Sequence, residues 1–185
     1  MRLSSLVTIA LAALVAGAAA LVYAEQGADN KQAGAPEVHY DLNSLPDPVK
    51  AMLEQIGNTA TSGEIEKMRP VLESNELKPM VAAAHVDDPI AYWKKDSADG
   101  TGRDVLAAML DVLSSGFVLI GKGDEAMYVW PYFAETDLTK LSPAQEVELY
   151  RLLPPADAIA MKKAGKYSGY RLGVAPSGVW HYFLK

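Results

Sequence analysis

Cysteine is absent from the 185 residues, which excludes disulfides, thiolate nucleophiles, iron–sulfur clusters and Cys-ligated zinc. It also argues against a bacterial lipoprotein, whose lipid sits on a Cys just after the leader. Histidine is nearly as scarce. His39, His85 and His181 are the only three, and their wide separation matches no local ligand motif, so neither a metal nor a cofactor is expected. Also missing are a G-x-S-x-G elbow, an H-E-x-x-H helix, a Walker loop and a dinucleotide fingerprint. Charged residues make up only 22%, with 14 Gly and 11 Pro, which excludes a charge-rich disordered chain and a collagen-like one. Half of the side chains are apolar, enough for one compact domain at roughly 150 residues per domain.

Basic charge is short as well. Lys and Arg number 17 against 23 Asp and Glu, a net of −6, so a nucleic-acid partner, which needs a basic field, is not expected. The deficit is uneven: residues 25–150 carry 22 acids and 10 bases, whereas residues 151–185 carry six bases against Asp157 alone. Packing of the basic end on the acidic body explains this without a partner, and a local anion site is the competing reading.

What is present begins with an uncharged run from Leu3 to Tyr23 behind Arg2, ending in Val22-Tyr23-Ala24. Small residues at the two positions read by a signal peptidase predict a signal peptide over 1–24, cleaved after Ala24, and a periplasmic or secreted product without stable membrane insertion. Retention of the run as an anchor is the alternative. Residues 25–37 are polar and rich in Gly and Ala, a flexible leader to a single domain over 38–185.

Within that domain, Val49, Met52, Leu53 and Ile56 follow helical spacing up to Gly57, and Ile65, Met68, Val71 and Leu72 do so around Pro70. Glu76 to Gly100 has no clear period and reads as an irregular wall. Thr101 and Asp104 form a capping box ahead of an apolar helix to Ser115. Phe117–Ile120 and Met127–Phe133 form a hairpin, Ser142-Pro143-Ala144-Gln145 caps a helix that stops at Pro154, a further helix runs to Gly165, and the chain closes on a second hairpin around Pro176-Ser177-Gly178. The fold expected is α+β: N-terminal helices and a small antiparallel sheet of about four strands packed on the buried Thr101–Ser115 helix.

Three spots could carry chemistry. Asp96 to Asp104 resembles a calcium loop but fails its register, since Ala98 occupies a ligand position and no Glu stands at the twelfth place. The Met127–Phe133 stretch alternates, with Tyr128, Trp130 and Tyr132 on one face; Pro131 cannot donate to a ladder, so this strand lies at an edge or ends there. Together with Trp93, these rings form a candidate platform for a peptide, a glycan or an envelope protein, with core packing as the competing reading. In the last strand Val179, His181 and Phe183 share a face and Trp180, Tyr182 and Leu184 the other. His181 becomes a candidate general base only if Glu135, Asp137 or Asp124 reaches it. A carboxylate pair for glycoside cleavage is left open, because its members meet only in three dimensions.

The segments DSADGTGRDVLAAMLDVL, MYVWPYF and GYRLGVAPSGVWHYFL resemble a group of exported proteobacterial proteins with no assigned activity, over about the last hundred residues. That resemblance implies export and no mechanism. The function expected is non-catalytic binding of a peptide, glycan or protein through the aromatic edge. The alternatives are a cell-envelope hydrolase using Asp or Glu with His181, and a structural or stress-related factor without a small ligand.

Overall fold

The computed structural model describes residues 36–185; the expected signal peptide and all but the last two residues of the polar leader lie outside the described residues. The first helix, α1 (Asp47–Thr61), buries Val49, Met52, Leu53, Ile56 and Ala60 on one face. It passes through Gly57, where a stop was expected, because Ala60 continues the same apolar stripe and the left-handed turn comes only at Gly63 (φ 70°). After a 3-10 turn at Ile65–Lys67, α2 (Met68–Ser74) accommodates Pro70 in its first turn, where the missing N–H leaves no hydrogen bond unmade.

The stretch expected to be irregular contains a further helix, α3 (Pro89–Asp96). The Asp88 side chain caps it by accepting from the N–H groups of Ile90 and Ala91, and Ile90 and Trp93 are buried. Helix α4 (Arg103–Leu113) follows at the expected place with Val105, Leu106, Met109 and Val112 buried. Its cap differs from the expected box: Gly102 stands at the N-cap, and Asp104 reaches back to the Ser97 hydroxyl and the Ala98 N–H at 2.9 Å.

The sheet is antiparallel in the order β1 (Val118–Ile120), β2 (Met127–Trp130), β3 (Arg171–Val174), β4 (Trp180–Leu184). Strand β2 ends at Pro131 as expected, yet it pairs on both sides and is not an edge. Between β2 and β3 come α5 (Pro143–Leu152), with the expected Ser142–Gln145 capping box, and α6 (Pro155–Ala164), closed by left-handed Gly165. Ahead of α1, His39 exchanges both backbone hydrogen bonds with Phe117 at 2.8 Å, adding a one-residue bridge beside β1.

Strand alternation divides the interior. Trp130, Leu172, Val174, Trp180 and Phe183 pack with α1, α2, α3 and α4. On the other side Val118 and Val129 pack with Tyr132, Phe133, Leu149 of α5 and Ala158 of α6. The expected α+β fold with a four-stranded sheet on the buried helix is therefore present, with α5 and α6 forming a second helical layer that was not expected. No helix among the described residues is long and apolar enough to cross a membrane.

Candidate functional site

Burial decides the aromatic residues singled out above. Trp93, Trp130 and Tyr132 have 0% of their surface exposed, so none can present a face to a ligand. Trp93 stacks on Trp180 with centroids 6.3 Å apart, and Trp130 lies 4.9 Å from Phe117. Tyr128 is half-buried, its ring centroid 6.0 Å from that of Phe117. The expected two-sided aromatic edge is corrected for two physical reasons: β2 is an inner strand, and the 3-10 turn Tyr132–Glu135 after Pro131 sends both Tyr132 and Phe133 into the second core.

His181 is likewise displaced from its expected role. A bulge between Gly173 and Val174 pairs Val174 with Trp180 and Gly173 with Tyr182, leaving His181 without an opposing residue. Trp180 and Phe183 consequently both face the first core. No hydrogen bond or ion pair links the His181 ring to a carboxylate among the described residues. Asp137 instead caps the turn Leu138–Lys140, accepting from the Thr139 N–H at 3.0 Å and the Thr139 hydroxyl at 2.6 Å. Glu135 is exposed and its charge falls on Tyr182, whose hydroxyl is pushed up to about 12, first by burial and then by Glu135. His85 meets Asp87 at 3.1 Å on an exposed loop.

Among the described residues, two surface cavities stand out. One of about 290 Å³ lies within a single loop, 78–86, and is mostly apolar. The other, about 250 Å³, draws on three separate parts of the chain: Tyr40, the C-terminal end of α4 through Gly116, and Glu148, Arg151 and Leu152 of α5. Convergence of polar groups from distant segments is what a recognition site requires, and only the second cavity has it.

Its floor is a clasp around one carboxylate. The Tyr40 hydroxyl donates to both oxygens of Glu148 at 2.9 Å, and the Tyr132 hydroxyl donates to Oε2 at 2.9 Å. The backbone brings these groups together. The His39–Phe117 bridge lays Tyr40 beside Gly116, and the Tyr132 N–H donates to the Gly116 carbonyl at 2.9 Å. Helix α5 then carries Glu148, Arg151 and Leu152 on one face at i, i+3 and i+4. Loss of water and the Glu148 charge push the Tyr40 hydroxyl from its ordinary 10.0 up to about 12. Although Tyr40 as a residue is 57% exposed, its hydroxyl is turned in toward Glu148. Burial, aided by Glu148, moves Tyr132 further in the same direction. Both phenols therefore stay protonated and act as donors.

The rim is less committed. Arg151 and Asp111 are exposed, and neither has an ion pair among the described residues. Arg151 stands one turn from Glu148, a spacing that ordinarily allows a salt bridge, but the two tyrosines occupy that carboxylate. The Ser114 and Ser115 hydroxyls donate to the Asp111 and Val112 carbonyls at 2.7 and 2.6 Å. No histidine lines the cleft, and its serines are turned onto their own backbone, so this arrangement suits binding of a polar group better than activation of a nucleophile. No group of three or more metal-ligating side chains occurs among the described residues.

Sequence reasoning missed Tyr40 and Glu148, which lie 108 residues apart. Neither belongs to a motif, and the weak amphipathic pattern of α5 gave Glu148 the look of a solvated helix residue. In comparisons with protein families, curated proteins and solved structures, nothing matched this chain.

Proposed function

We propose that this is an exported, non-catalytic binding protein that takes a small polar ligand in the cleft between Tyr40, the end of α4, and α5. The observation that carries the reading is the Glu148 carboxylate held by two tyrosine hydroxyls beside an unpaired Arg151 and an unpaired Asp111. A carboxylate fixed by two aromatic donors is already oriented before any ligand arrives, and such preorganisation lowers the cost of binding. Unpaired charges of both signs in one concavity provide specificity that a shared apolar wall would not. Export is supported by the uncharged run Leu3–Tyr23 and the small residues before Glu25.

A ligand that binds only the folded state raises Tm by mass action, by about 5–10 °C at a hundredfold excess over Kd for a domain of this size. Thermal melts in a panel of amino acids, a dipeptide, a disaccharide and inorganic phosphate should reveal at least one such rise in the wild type, lost or much reduced in Arg151→Gln. Equal melts across the whole panel would overturn the cleft as a binding site. Mass spectrometry of the chain expressed in a bacterium should find it in the envelope fraction beginning at Glu25; an intact Met1 on cytosolic material would overturn the export reading.

A further inference from the structure

We infer that the ligand of this cleft is a short zwitterion, a free α-amino acid or a dipeptide, whose carboxylate pairs with Arg151 and whose ammonium faces Asp111 and Glu148. The inference rests on the cleft being the binding site, and it follows from charge accounting at that site.

An isolated anion entering the cleft would meet two carboxylates, and an isolated cation would meet the Arg151 guanidinium. A neutral saccharide would meet both rim groups through its hydroxyls but would bring neither an opposite charge, so the charges would be balanced less well once water is displaced. A molecule carrying both signs a few bonds apart answers both. The guanidinium offers a planar fork of donors matched to a carboxylate, and it has no competing ion pair among the described residues. Among the described residues no side chain bonds the Asp111 carboxylate, so it can accept from an ammonium directly. Glu148 plays a different part. The single Tyr40 proton, shared between its two oxygens, and the Tyr132 proton already hold it in place, so its main contribution is negative potential at a fixed position.

Size points the same way. About 250 Å³ lies below the range of roughly 300–1,000 Å³ typical of drug-sized ligands. Among the described residues Leu152 is the one apolar side chain of the cleft besides the Tyr40 ring, which leaves room for a small side chain and little more.

Calorimetric titration tests this with three probes: the dipeptide Ala-Ala, its N-acetyl derivative and its C-terminal amide, with free alanine alongside to separate the two source classes. Removing a charge-assisted contact should weaken binding about tenfold or more, so each blocked derivative should bind at least that much more weakly than Ala-Ala. Arg151→Gln should erase the difference between acid and amide while keeping the difference at the amino end, and Asp111→Asn should do the reverse. Both residues are exposed, and an unchanged melting curve in the absence of ligand checks that each variant folds. Equal affinity for blocked and free forms would overturn the zwitterion inference, as would cleft binding of a disaccharide or phosphate but not of Ala-Ala or alanine, and either result leaves the binding reading standing. Absence of binding by every solute of the wider panel would overturn both.

Discussion

A Cβ placed on Gly116 would stand 2.8 Å from Tyr40 Cε1, 3.0 Å from Val38 Cγ1 and 3.1 Å from Tyr132 Cδ1. The smallest residue is thus required where the N-terminal bridge, the end of α4 and the chain after Pro131 converge. Gly116→Ala should cost about 1–3 kcal/mol by overpacking, read as a lower urea midpoint, and should weaken cleft binding by swinging Tyr40 away from Glu148. A midpoint equal to the wild type would show that the rings yield freely. The phenols give a second test at this scale. Their hydroxyls titrate higher in the folded chain than the ordinary 10.0, Tyr40 and Tyr182 at about 12 and Tyr132 in the same direction. The folded state therefore disfavours tyrosinate: this contribution is complete below pH 10 and is lost as pH rises from there through about 12. Urea midpoints measured from pH 8 to 11.5 should hold level and then fall above 10, and Tyr132→Phe should flatten part of the fall. A level profile throughout would contradict the clasp.

Among the elements, the link between the α2 region and β4 combines the Met80 backbone bridge to His181 and Phe183 with one buried side chain. Asn75 is buried, donates to the Trp180 carbonyl at 2.7 Å and accepts from the Trp180 N–H at 2.9 Å. Asn75→Ala leaves both backbone groups buried without partners and should cost about 2 kcal/mol or more, with hydrogen exchange at Trp180 accelerated first. Helix starts give the acid-side counterpart. The Ala91 N–H and Arg69 hold Asp88 below its ordinary 3.8, the Thr101 hydroxyl does so for Asp99, and the Ser97 hydroxyl for Asp104. These contributions are present above 3.8 and lost as pH falls through the lower folded values, so the urea midpoint should drop below about pH 4. Elements with local punctuation were legible in the residues. Ser142 and Gln145 announced α5, Pro176-Ser177-Gly178 announced the last hairpin, and the apolar stripe from Val105 to Val112 announced α4. Helix α3 was hidden because eight residues with Pro89, Ile90 and Trp93 buried give too few turns to display a period, although Asp88-Pro89 is a start signal.

At the scale of the molecule, what escaped the sequence was whatever depends on which strands are neighbours. Alternation correctly separates Trp130 from Val129, but it cannot say that β3 would cover the far side of β2 and turn an apparent aromatic edge into core. Nor can it foresee the bulge that puts Trp180 and Phe183 on one side and strips His181 of its expected setting. The cleft is a product of the same assembly: Tyr40, Tyr132 and Glu148 come from three separate segments and meet because α5 and α6 form a second layer over the sheet. Charge segregation is also partly resolved at this scale. Lys162 pairs with Glu146 at 2.5 Å and Lys185 with Asp96 at 3.4 Å, while Arg151 is left to face the cleft. The most direct measurement is the map of backbone amide NMR shifts on adding Ala-Ala and the other panel solutes one at a time. Saturable shifts should gather at Tyr40, residues 111–116 and residues 148–152, with residues 78–86 and 127–130 quiet. Shifts centred on either of those quiet segments, or no saturable shift with any solute, would contradict the assignment of the cleft as the place where this protein meets its ligand.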